Sequence, residues 1–244
     1  MRQSVVAIAL AALCVPLPAS AEPADPPPPP RHEGTAELSY VGTSGNSSTQ
    51  TIGLGGEFIC RPDQWVITNK AAFVRNKSES ELTAETYVYL FKAARTISSR
   101  LAGFGQYDYF RDEFAGMLHR HSLLGGVQYK IVELPEHLVT ADGGLGYVNE
   151  QRIAGADLSL ASWSAGAAYR WKISETAEFT DDVQLLGLFS ERGGWRLKQS
   201  ASVTARLTEL LSLKVANTIR YVSQPVPGFK STDTMTSIAL VAKF

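Results

Sequence analysis

The chain has 244 residues, 44% of them hydrophobic and 19% charged, with a formal net charge of -1 and a mean hydropathy of -0.06. This balance excludes a disordered chain, which needs more charge and fewer aromatics, and a helical membrane bundle, which needs apolar runs of about 18 residues or more. It also speaks against a nucleic-acid partner, because a phosphate-binding surface carries a clear Lys/Arg excess.

Residues 1–21 begin with Arg2, continue through the apolar stretch Val5 to Val15, and end in Ala19-Ser20-Ala21 after Pro16 and Pro18. A positive start, a short apolar core and a small-x-small end describe a cleavable signal peptide, with cutting expected after Ala21. An anchoring helix would need about 20 spanning residues. Cys14 follows Leu13 rather than a small residue, so lipid attachment is not expected there. The exported chain then keeps a lone cysteine, Cys60, which excludes an internal disulfide and reads as a small filler at a strand end. Residues 22–32 hold six prolines, including the run Pro26 to Pro30. Such a stretch favours polyproline II and is expected to form an extended periplasmic tail.

From Glu33 onward, apolar residues alternate with polar or small ones. In the segment 195–207, Trp195, Leu197, Ala201, Val203, Ala205 and Leu207 share one parity, broken by Gln199, while Arg196, Lys198, Ser200, Ser202, Thr204 and Arg206 fill the other. A period of two separates these sets cleanly, whereas helical spacing would scatter them. The same reading along residues 33–244 predicts twelve strands: 34–43, 47–60, 65–77, 81–95, 100–111, 118–131, 137–150, 158–172, 177–191, 195–207, 212–223 and 232–244. In 81–95 the face is ambiguous, because Tyr87, Tyr89 and Phe91 share parity with Glu81 and Glu85. Beyond the tail, Pro62, Pro135, Pro225 and Pro227 all fall in connections, as a hydrogen-bonded ladder requires.

Connections 61–64, 96–99, 132–136, 173–176 and 208–211 are tight, and between them lie mostly longer polar ones at 76–80, 112–117, 151–157 and 224–231. Short turns on one side and longer loops on the other predict an all-β fold, a twelve-stranded antiparallel transmembrane β-barrel of the bacterial outer membrane. An even strand count places both termini in the periplasm. A soluble sandwich would put the apolar face inward, but here aromatics of that face gather near strand ends. Phe58, Trp65, Tyr129, Trp171, Phe179 and Phe244 fall on the turn side, and Tyr40, Tyr147, Trp195 and Tyr221 on the loop side, as membrane girdles do. The expected partners are therefore outer-membrane lipid and, during assembly, periplasmic chaperones and the barrel-insertion machinery. For the latter the last strand offers a signal in Phe244 with Ala242, Leu240 and Ile238 at alternate positions.

The opening Gly34-Thr35-Ala36-Glu37-Leu38-Ser39-Tyr40, turning through Thr43-Ser44-Gly45-Asn46-Ser47, and the close Pro227-Gly228-Phe229-Lys230-Ser231-Thr232-Asp233-Thr234 resemble the YdiY-like family of salt-stress-induced outer-membrane proteins, a domain of unknown function. The resemblance spans 33–244 and implies the barrel fold and the outer membrane, with a structural or stress-related role or a narrow diffusion pore, and no enzymatic activity.

Charged residues of the polar face form the candidate site: Glu37, Glu57, Lys70, Asp108, Arg120, Lys130, Asp142, Arg170, Lys172, Glu178, Asp182, Arg196, Lys198, Arg206, Lys214 and Arg220. They either interlock as ion pairs filling the lumen or line a narrow aqueous path. Arg170, Lys172, Arg196, Lys198, Arg206, Lys214 and Arg220 form a basic arc faced by Glu178 and Asp182, so its surplus must reach toward Glu37 and Glu57 or face water. Arg206 and Lys214 are expected nearly opposite across their tight turn. His119 and His121, near Asp112 and Glu113, share one strand face and raise the alternative of an outer-membrane hydrolase, a phospholipase- or protease-like barrel. Two histidines supply only two ligands, so no metal and no cofactor is expected. The Gly pairs 55–56, 125–126 and 143–144 sit inside strands, where they ease close backbone packing rather than cradle phosphate.

Overall fold

The computed structural model describes residues 30–43, 49–79, 81–190 and 194–244. The expected signal peptide 1–21, and all but the end of the expected tail, lie outside the described residues. Twelve strands follow in order: β1 (His32–Thr43), β2 (Thr49–Cys60), β3 (Trp65–Ser78), β4 (Glu81–Thr96), β5 (Leu101–Asp112), β6 (Met117–Glu133), β7 (His137–Arg152), β8 (Leu158–Lys172), β9 (Ala177–Leu188), β10 (Trp195–Arg206), β11 (Leu211–Val222) and β12 (Thr232–Lys243). Each pairs antiparallel with its sequence neighbours, and β12 returns to β1 to close the barrel. At 12–17 residues, all are long enough to cross a bilayer at a tilt.

The strand faces divide as the alternation predicts. Leu123 and Leu145 stand about two-thirds exposed on the outer wall, in one apolar band with Leu38, Leu54, Val127, Val203, Leu213, Ile238 and Leu240. So large an exposed apolar ring has no stable place in water and fits hydrocarbon. The ambiguous segment resolves outward: the Phe73 and Tyr87 rings pack at 4.9 Å, tilted by 45°, while Glu85 joins Arg75 at 3.6 Å near the loop end.

Three tight turns share one local cause. The hydroxyl of Ser98 accepts from Leu101 N, that of Ser174 from Thr176 N and Ala177 N, and that of Thr208 from Leu210 N and Leu211 N. In each turn a Ser or Thr directly after an aliphatic residue mimics a backbone acceptor and folds the chain back.

Some boundaries move. His32, expected in the tail, opens β1 opposite Cys60. β9, expected to reach 191, ends at Leu188, where Phe189 N turns aside to bond Ala161 O. The expected longer loop at 76–80 shortens: β3 runs on to Ser78 and β4 starts at Glu81, with an irregularity at Asn76/Lys77 and a left-handed Glu79 (φ 51°).

Close packing around β6 and β7 depends on glycine. A Cβ on Gly126 would sit 2.2 Å from Gly143 O, and one on Gly146 would sit 2.0 Å from Leu123 O. In the pairs 125–126 and 143–144 this holds for Gly126 and Gly144, whereas a Cβ on Gly125 or Gly143 would meet only ordinary contacts at 3.8 Å and 3.7 Å.

Candidate functional site: the barrel lumen

The lumen has two unlike halves. Toward the turn end, Lys70, Arg170, Lys172, Asp182 and Arg206 point inward and remain exposed, forming a solvent-accessible vestibule. Toward the loop end the interior is packed. Val148, Leu158 and Leu188 form an apolar cluster with Leu160 and Leu186, and Glu150 and Ser162 are fully buried beside it.

A constriction crosses the packed half. Two guanidinium groups meet the ring of Phe110 of β5, Arg120 of β6 at 4.7 Å and Arg220 of β11 at 5.2 Å from its centroid. β5 and β11 stand six places apart in the closed order, so this stack joins opposite walls. The mouth above is covered in the same direction. Val226, in the β11–β12 connection 223–231, is 3% exposed, and it and Phe229 press on Gly116 of the β5–β6 connection, where an added Cβ would lie 2.8 Å and 2.9 Å from them. Pro227 approaches Gly155 of the β7–β8 connection, where an added Cβ would lie 3.5 Å from it, and Ile153 N bonds Gly116 O (3.0 Å).

The predicted lumenal charges face inward, and several are paired. Lys214 reaches over β12 to Glu37 (2.7 Å), above the buried Ala239 and Val241, Lys70 meets Glu57 (3.1 Å), and Arg170 approaches Glu178 (3.9 Å). Lys130 bonds Glu133 (2.5 Å), and Asp108 accepts from Gln106 Nε2 (2.8 Å). Lys198 shares a cavity wall with Asp108, Asp142 and Arg220. Arg206 and Lys214, expected nearly opposite on one face, share that face as diagonal neighbours. The register sets Thr204 against Lys214 and Ser212 against Arg206, a diagonal offset that separates the like charges.

Arg196 has a partner that sequence reading missed. Glu150 accepts from Arg196 Nη2 (2.6 Å) and Arg152 Nε (2.5 Å). Glu150 stood at the end of the expected strand and Arg152 in the expected loop. Both continue the even-numbered inward parity of Thr140, Asp142 and Val148, which is the signal that could have found them. A buried ion group of this kind is held by mutual compensation: removing one partner leaves an uncompensated charge, at a cost of about 3–5 kcal/mol.

The histidine pair is not assembled into an acid-base dyad. His119 and His121 project outward, where Nδ1 of each meets a tyrosine hydroxyl, Tyr109 at 2.9 Å and Tyr107 at 2.8 Å. Asp112 points inward, accepting from Thr86 Oγ1 (2.7 Å) and Ala115 N (3.1 Å). Odd and even positions of adjacent strands put the two sets on opposite sides of the wall. Among the described residues, no group of three or more His, Cys, Asp or Glu is placed to hold a metal ion.

The expected insertion signal lies on the last strand, with Ile238, Leu240, Ala242 and Phe244 on the lipid side. Around the ends, the rings of Trp195 and Tyr221 pack at 4.9 Å, tilted by 38°, on the loop side, and His137 stacks with Tyr169 and Trp171 on the turn side.

The family described as "Protein of unknown function, DUF481" matches residues 36–244. The chain is 23% identical over 211 residues to an uncharacterized protein, YdiY, of Escherichia coli K12, covering 85% of this chain and 81% of that one. Among solved structures it resembles an outer-membrane channel of Pseudomonas putida F1 (TM-score 0.52, 9% identity, 92% and 100% of the two chains) and the NanC porin (TM-score 0.47, 8% identity, 86% and 97%). At these identities the likeness is one of fold.

Proposed function

The chain belongs to the DUF481 family of YdiY-like outer-membrane barrels, and we propose that it is a non-enzymatic, narrow channel for small anions, constricted at Phe110. The carrying observation is the asymmetric lumen. Exposed basic residues, Arg170, Lys172 and Arg206, line a solvent-accessible vestibule that leads to a constriction built from two more arginines. In a narrow lumen, screening is weaker than in bulk, so such a wall favours anions. On this reading both termini and the tight turns face the periplasm, and the vestibule opens there.

A second reading is favoured by the pairs Lys214–Glu37 and Arg196–Glu150: a structural barrel whose lumen is an ion-pair plug. Single-channel recording of the refolded protein in a planar bilayer separates the two. Small conductance steps with an anion-selective reversal potential support the channel. A silent bilayer across a wide voltage range overturns it in favour of the plug.

A further inference from the structure

Four arginines gather in the packed half of the lumen. Arg152 and Arg196 both bond the fully buried Glu150, Arg120 stands opposite Glu150 in the β6–β7 register, and Arg220 lies over the Phe110 ring. Among the described residues, Glu150 is the one carboxylate whose side chain lies within ion-pair distance of any of these four arginines.

Unpartnered donors mark where acceptors are missing. Nε and Nη1 of Arg196, Nε of Arg120 and the hydroxyls of Ser162 and Ser164 are buried without a hydrogen-bond partner, although the Arg196 side chain is only 7% exposed. Buried donors in that state are costly, and a native structure keeps few of them. Arg120, Arg196 and Ser164 line one cavity of about 160 Å³, together with Lys198 and Arg220. Asp108, Asp142 and Asp233 line the remainder, and with Glu150 on Arg196 they match the four cations of the wall in number.

We propose that this cavity binds one small, singly charged carboxylate or inorganic oxyanion, with its oxygens taken by the guanidinium groups of Arg196 and Arg120 and by the hydroxyl of Ser164. A planar pair of oxygens matches the donor fork of arginine, and an anion supplies the acceptors that these buried donors lack, whereas a cation supplies none. The site deepens the channel reading and rests on it only for the route of entry from the vestibule.

Equilibrium binding in neutral detergent tests the site without any membrane potential. The full barrel is titrated with acetate and with nitrate by calorimetry at fixed ionic strength. Saturable binding of one ion is expected, weakened about tenfold by Arg196→Gln, as loss of one charge-assisted hydrogen bond implies. Ser164→Ala weakens it less, and Arg170→Gln, in the vestibule, leaves it unchanged. Should Arg196→Gln fail to fold, Glu150→Gln decides. Losing that carboxylate frees Arg196 Nη2 and Arg152 Nε, so acetate binds more tightly and restores the melting temperature that the substitution lowers. No saturable binding to the wild type, or no anion-dependent recovery of Glu150→Gln, overturns the site. Binding by a barrel that is silent in the bilayer overturns only the channel.

Discussion

The ring of Phe244 lies on Gly34, and the two residues exchange both backbone hydrogen bonds, Gly34 N to Phe244 O at 2.8 Å and Phe244 N to Gly34 O at 3.0 Å. The final residue of the chain thereby closes the seam between β1 and β12. The ladder above it is short, pairing Thr35–Leu38 with Leu240–Lys243, whereas β1 and β2 are in register from His32 to Thr43. Glu33 ties the same corner by holding Lys243 (3.0 Å) and Arg61 (3.1 Å).

A side chain at position 34 should therefore open the seam. A Cβ there would lie 2.4 Å from the Phe244 ring, so Gly34→Val should displace the ring and reduce the heat-resistant, fast-migrating form in unboiled gels. Deleting Phe244 should do the same and also lower the amount inserted in the outer membrane, leaving more in the periplasm. Unchanged migration and unchanged surface accessibility in both variants would count against a role in closure and assembly.

Backbone approach between β6 and β7 predicts a contrast between two glycines. Gly146→Ala meets Leu123 O at 2.0 Å and should destabilise the barrel by about 1–3 kcal/mol, the range for forced overpacking. Gly125→Ala meets its nearest atom, Phe104 O, at 3.8 Å and should be tolerated. Urea unfolding of the two refolded proteins measures the difference, and equal midpoints would refute the close-approach account.

The proposed orientation is tested with exposed positions that need no left-handed backbone. In a Cys60→Ser background, cysteine in place of Ala156 or Lys230 should react with an impermeant thiol reagent on whole cells. Cysteine in place of Glu175 or Glu209 should stay unlabelled until the outer membrane is broken. The reverse pattern would invert the barrel.

Two kinds of basic residue should respond differently to neutralisation. Arg206 is exposed in the vestibule and has no ion-pair partner among the described residues, so Arg206→Gln should shift the reversal potential away from anions with little effect on melting. Lys214→Gln strands Glu37 under the seam strand and should lower the melting temperature, with a loss of about 1–3 kcal/mol for a part-buried charged hydrogen bond. Identical behaviour of the two would mean that the vestibule and the seam pair are not distinct.

What the chain determines by itself is everything that a period of two can carry. Trp195, Leu197 and Val203 against Arg196, Lys198 and Thr204 specify strand, face and lipid contact together, because each residue's parity fixes its side of the wall. The Ser98, Ser174 and Thr208 turns are equally local, since their acceptors and donors lie within three residues. Partnership across the lumen is not local. Lys214 finds Glu37 177 residues away, and Arg196 finds Glu150 46 residues away, because barrel closure and strand stagger set the depth at which opposite walls meet. Parity says that Arg120 and Arg220 point inward, but only the closed barrel decides that they meet on one phenylalanine ring, and that the loop carrying Val226 crosses the mouth above them.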